Sequence, residues 1–128
     1  MVAWNDYKEM ARDRGALALE LFVVESTPAG AAEEVKANLP AHLDYQRQME
    51  LEGVLVMAGP LSDASGSEMN GAGMILYRAD SMEGARTIAE NDPMHASGAR
   101  SFTLRKWLVN EGSLSIHVGL STGKAILS

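Results

Sequence analysis

Cysteine is absent from this chain of 128 residues, which removes disulfide bonds, thiolate nucleophiles and thiolate-held metals from consideration. Aromatic side chains make up only 5% of the residues, and none interleaves with basic ones as a nucleobase-stacking surface requires. Positive charge is also scarce: 11 Lys and Arg stand against 17 Asp and Glu, a net charge of −6. The densest basic group is Lys8, Arg12 and Arg14, followed by the pair Arg105-Lys106. So dispersed a charge repels phosphate backbones, and no nucleic-acid partner is expected. No apolar run approaches the ~20 residues that cross a bilayer, so no membrane association is expected. Nor is there a glycine-rich phosphate loop, a serine nucleophile elbow or a clustered carboxylate dyad. The opening Met1-Val2-Ala3-Trp4-Asn5-Asp6 lacks a basic region followed by an apolar one, which makes a cytoplasmic protein the expectation.

What is present is an apolar fraction of 46%, enough for one folded domain over 1–128. Trp4, Tyr7 and Met10-Ala11 recur at helical spacing within 4–14, and Gly15 is a natural stop. Ala16 to Glu25 is nearly continuously apolar and reads as a central strand, broken by Ser26-Thr27-Pro28. Ala31 to Asn38 predicts a turn or two of helix. Pro40 then opens a second helix over 41–52, with His42 at its start and Gly53 as its left-handed cap. On that helix Leu39, Leu43, Gln46 and Glu50 share one side, with His42 and Met49 at its edge.

Val54 to Ala58 predicts a strand stopped by a Gly59-Pro60 turn. Leu61 to Gly71 reads as a loop, either a flap or a tolerated surface insertion. Ala72 to Arg78 predicts the third strand. Asp80-Ser81-Met82-Glu83 has a capping-box pattern before a helix that buries Met82, Ala85, Ile88 and Ala89. Phe102 to Val109 completes the core. The tail from Leu114 to Leu120 alternates with period two and predicts one extra strand. The order is β-α-β-β-α-β, an α+β, ferredoxin-like arrangement with one antiparallel sheet. Its strands are apolar on both faces, which gives a second subunit a reason to cover the sheet.

Two residues stand out chemically. His42 sits at the boundary between the core and an opening, and an imidazole titrates close enough to neutrality for acid–base work. Asp92, in Glu90-Asn91-Asp92-Pro93, is pushed out of the helical region by the following proline, so its side chain leaves the helix in a defined direction. Each also has an ordinary reading: His42 as a hydrogen-bonded boundary residue, Asp92 as a turn anchor. Together they predict a catalytic pair in which Asp92 orients the imidazole and His42 moves a proton.

Around them, Gly59 and Pro60 shape a pocket wall, and Ser62 and Ser65 are either substrate contacts or solvated loop residues. His95 is either a pocket residue or an ordinary surface histidine, and Arg78 either clamps an acidic substrate or makes a sheet-end salt bridge. Tyr45 and Tyr77 are expected to serve packing, and His117 lies on the polar side of the tail strand. His42, His95 and Asp92 match a two-histidine, one-carboxylate metal set in type, but nothing in their spacing demands a metal. Neither a metal nor a cofactor is expected.

Pro40-Ala41-His42-Leu43, then Glu52-Gly53 before a strand, Ala58-Gly59-Pro60, and Asn91-Asp92-Pro93 before the last core strand resemble the YCII-related (YciI-like) family over roughly residues 17–110. The resemblance implies a ferredoxin-like subunit pairing into a dimeric α+β barrel, as a homodimer or larger homo-oligomer, with a His/Asp active site. On this reading 1–15 is an added helix and 111–128 an added strand. The family includes a chlorinated-hydroquinone dehydrochlorinase. Two functional classes follow. One is a cofactor-independent lyase or isomerase acting on a small aromatic or carbonyl-bearing metabolite. The other is a small-ligand-binding or assembly protein that keeps the pocket without turnover.

Overall fold

The computed structural model describes all 128 residues, and its contacts divide them into two compact units, Glu20–Trp107 and the two chain ends, Met1–Leu19 with Leu108–Ser128. The central unit carries the core β-α-β-β-α-β. Its strands β1 (Leu19–Pro28), β2 (Leu55–Ser62), β3 (Met69–Tyr77) and β4 (Arg100–Val109) lie in the order β2-β3-β1-β4. Antiparallel registers pair Phe22 with Tyr77 and Val24 with Ile75, while Ala58 faces Ile75 from the edge strand. Helices α2 (Ala32–Leu51) and α3 (Met82–Asn91) supply Met49, Ala85 and Ala89 to a core built with Phe22, Val24, Ile75, Tyr77 and Leu104. The alternation of β1 sends Phe22 and Val24 into this core and Val23 to the opposite sheet face.

Several expectations are corrected. Pro40 does not begin a new helix. It lies inside a single 20-residue α2, which places His42 in mid-helix. Val35, Leu39, His42, Gln46 and Met49 keep one periodic stripe across the proline, so tertiary contacts outweigh the lost Pro40 N–H. The most buried positions of α2 are Gln46 and Met49, whereas Leu39 and Leu43 are exposed. The Ser26-Thr27-Pro28 segment does not break β1, which continues through Pro28. Gly59 and Pro60 are not a turn but part of β2, an edge strand with a register shift between Pro60 and Ser62, where a missing N–H is tolerated.

With both strands extended, the connection between them shrinks to 63–68, tied by Asp63 N to the Glu68 carbonyl (2.7 Å) and by Ser65 Oγ to Asp63 Oδ1 (2.6 Å). Helix α3 is capped by Ser81, whose Oγ accepts from Gly84 N at 3.0 Å, and Glu83 takes no part in a capping box. One helical turn, α4 (Pro93–Ala96), was not legible as an element. No helix is long and apolar enough to cross a membrane.

The terminal unit holds α1 (Trp4–Asp13), with Ala11 buried, and a bond from Leu17 N to the Asn110 carbonyl at 3.0 Å. The tail is a two-stranded hairpin, β5 (Ile116–Val118) with β6 (Ala125–Leu127), where one strand was expected.

Candidate active site

Asp92 is the C-cap of α3 and the N-cap of α4 at once, with the extended backbone (φ −61°, ψ 125°) that Pro93 imposes. Its side chain is fully buried. One carboxylate oxygen, Oδ1, accepts from Met94 N at 3.0 Å, and Oδ2 accepts from Gln46 Nε2 at 3.1 Å. His42 Nδ1 lies 2.8 Å from both oxygens. Burial by itself raises the carboxyl pKa. The His42 hydrogen bond, the Met94 N–H and the nearby imidazoles outweigh it, so the net direction is downward and Asp92 is ionised. An ionised carboxylate only accepts, so Nδ1 of His42 carries the proton and donates it. The lone pair of the neutral ring is then on Nε2, which has no hydrogen-bond partner in the protein.

His42, with 22% of its side chain exposed, lines a cavity of about 710 Å³. Leu39, Leu43, Gln46 and Glu50, the side of α2 that the helical period groups together, line it too, which explains why the two leucines are not in the core. Gly59 and Pro60 are in the wall, with Met57, Met69 and Met94. Ser62 and Arg78 are not. Ser62 Oγ donates to the Asp63 carbonyl beyond the register shift, and Arg78 is exposed, with Nη1 donating to the Gly53 carbonyl at 3.2 Å.

His95 is half-buried and one residue removed from the wall. Its Nδ1 donates to the Ala89 carbonyl (2.8 Å), so Nε2 accepts from Ser26 Oγ (2.8 Å), and its ring meets Phe102 at 4.7 Å. Burial is the main cause that holds its pKa below the ordinary value, and Arg100 and His42 add to it. The Ala89 carbonyl and Asp92 oppose the shift. With both nitrogens engaged in this way, His95 does not join His42 and Asp92 as a metal ligand set, and no cluster of three His, Asp or Glu side chains converges on one point.

Three site residues escaped the sequence reading as such. Ser26 and Arg100 line the cavity, and Gln46 links Asp92 to the buried Tyr77 hydroxyl, which accepts from Nε2 at 3.1 Å. Ser26 was masked as a strand breaker, and Arg100 lay just outside the expected strand. Burial raises both phenols, Tyr45 and Tyr77, above their ordinary pKa, and the Asp92 charge adds to it. They stay protonated and do not act as bases.

The model of the YCII-related domain matches residues 20–108. The chain belongs to the YCII-related family. Among its relatives is the uncharacterized protein YjpA of Bacillus subtilis, 34% identical over 70 residues, which span 55% of this chain and 75% of YjpA. A solved structure, the 5-chloro-2-hydroxyhydroquinone dehydrochlorinase TftG of Burkholderia phenoliruptrix in complex with 2,5-dihydroxybenzoquinone, is similar with a TM-score of 0.54. The match covers 68% of this chain and 92% of TftG at 22% identity, and at that identity it is the fold that is shared.

Proposed function

We propose that this YCII-related chain is a lyase or isomerase that moves a proton on a small aromatic or carbonyl-bearing molecule, with His42 as the acid–base group and Asp92 as its orienting partner. The observation that carries this reading is the 2.8 Å bond from His42 Nδ1 to a buried, ionised carboxylate, with Nε2 unpartnered on a cavity wall. In the forward step Nε2 takes a proton from substrate carbon. The C–H electron pair moves into the substrate and either expels a leaving group with its bonding pair or shifts a double bond. In the first case the imidazolium then releases the proton to water, and in the second it returns the proton at another position of the substrate. Asp92 stabilises the cation formed in between, and none of these steps calls on a cofactor.

The dehydrochlorinase with the same fold supports the lyase class, since its name describes an elimination. Gly59 and Pro60 act as shape-determining wall. His95 positions Ser26 from behind, and Ser62 and Arg78 have no assigned part. A homodimer covering the exposed Met57 and Trp107 of the sheet face opposite the helices fits the same reading.

Long-range proton–nitrogen NMR of the imidazoles tests the pair. The neutral His42 ring is expected as the Nδ1–H tautomer in the parent and as a mixture in Asp92→Asn. An unchanged tautomer in the variant removes the dyad. If the tautomer changes but the parent binds an enolisable hydroxyquinol without turning it over, the ligand-binding class replaces the enzyme, and turnover that survives both Asp92→Asn and His42→Gln removes the pair from the chemistry.

A further inference from the structure

The cavity wall holds one cation that makes no direct ion pair, although the Asp92 charge acts on it from nearby. Arg100, at the start of β4, is half-buried, and its guanidinium is held through two of its three nitrogens. Nε donates to Ser26 Oγ at 2.9 Å, and Nη2 donates to the Ser26 carbonyl at 2.8 Å and to the Gly71 carbonyl. Nη1 has no partner in the protein, and none of the ion pairs involves Arg100. The chain goes to some length to fix this group. Ser26 gives its own proton to His95, which leaves its oxygen to receive Nε. Gly71 presents its carbonyl at φ +92°, and a Cβ there would stand 2.8 Å from Pro28 Cγ, so no other residue fits the position without a shift.

A guanidinium taken partly out of water with neutral oxygens as its only hydrogen-bond partners, and with Asp92 acting on it without contact, still has Nη1 free to receive an anionic oxygen. Two free N–H groups on a clamped, planar fork suit an oxygen of a carboxylate, phenolate or enolate. The rest of the wall is mostly apolar, with Leu39, Leu43, Met57, Met69 and Met94, and Glu50 is the other charged lining residue. The occupant is therefore a small anion with an apolar body.

We propose that Arg100 anchors an acidic oxygen of the ligand, which makes the substrate class a small phenolate, enolate or arene carboxylate. This rests on the proposed function, since the reacting carbon must then face His42. It also gives Arg100 a part in that chemistry. When His42 takes the proton, the freed electron pair moves onto a carbonyl oxygen conjugated with the reacting carbon of the same ligand, and the guanidinium on the neighbouring acidic oxygen offsets the added negative charge.

The test compares benzoate with its neutral isostere benzamide on the full chain, following the His42 ring signals and the Arg100 Nε–H signal by NMR. Benzoate is expected to bind at least about tenfold more tightly than benzamide and to shift both residues. That preference is expected to disappear in Arg100→Gln. Because Arg100 also ties Ser26 to Gly71, Arg100→Lys serves as a second variant that keeps the charge and is expected to retain part of the preference. The parent comparison needs no variant at all. Equal affinity for the two probes, no binding of either, or a preference that survives Arg100→Gln overturns the anchor. These outcomes are separable from failure of the His42–Asp92 reading. In that case the tautomer is unaffected by Asp92→Asn while benzoate still binds at Arg100.

Discussion

Asp92 accepts from three elements at once: the α4 backbone at Met94, the α2 side chain of Gln46, and His42. Its pKa lies below the usual 3.8 in the fold, so protons bind the unfolded chain more readily. The stabilisation it gives is complete above the ordinary carboxylate pKa and is lost as pH falls through the lower, folded value. Melting temperatures of the parent and Asp92→Asn are therefore expected to differ most near neutrality and to converge in acid, below about pH 4. A constant gap down to strong acid contradicts this. His95 works in the same direction at higher pH. Its folded pKa is depressed, chiefly by burial, so the unfolded chain takes up the proton first as pH falls below about 6.5. The parent is expected to lose stability on acidification from there, and His95→Gln to lose less. A parent melting curve as flat as that of His95→Gln in this range removes the linkage.

At the scale of elements, α2 shows where local rules mislead. The chain around Pro40 reads as a helix start because the first turn tolerates a missing N–H. The structure instead runs the helix straight through, losing a bond to the Lys36 carbonyl, because the stripe from Val35 to Met49 faces the cavity and the core along its whole length. Pro40→Ala restores that bond, worth up to about 3 kcal/mol, and frees the unfolded chain by about 1 kcal/mol. A net gain of roughly 1–2 kcal/mol in urea unfolding is expected. A loss instead means that the proline geometry is required to seat His42.

Elsewhere the period carried more information than the breakers did. The helix side Leu39, Leu43, Gln46 and Glu50 was legible, and it turned out to face the cavity. Gly59-Pro60 and Ser26-Thr27-Pro28 look like punctuation in isolation. On an edge strand, or at the last residue of β1, they leave the strand continuous. Gln46 and Arg100 gave no local signal, because their importance lies in contacts with residues 46 and 74 positions away.

For the whole molecule, the α+β class and the β-α-β-β-α-β order of core elements followed from periodicity and short connections, while the tail hairpin did not. Its second strand, Ala125–Leu127, is three residues long, too short for an alternation to show. What covers the sheet face opposite the helices is a question for the assembled protein. That face carries Val23 and Met74 beside Leu21 and Leu76, which are already buried within the chain, while Met57 and Trp107 stay 58% and 44% exposed. Met57 pairs with Leu76 in the register, and Trp107 alternates with the core positions Phe102 and Leu104, so both belong to this side. An apolar sheet face of this kind is stable when a second sheet packs on it. The α+β barrel implied for the family is closed by a second copy of the same chain. Sedimentation equilibrium of the parent is expected to return twice the mass of one chain. Met57→Glu combined with Trp107→Glu should bring it to one, since two carboxylates per subunit would be desolvated without partners. A parent that sediments as a single chain at micromolar concentration overturns the dimer. The hydrogen bonds of Asp92 and Arg100 remain in that case, because His42, Gln46, Met94, Ser26 and Gly71 belong to the same chain.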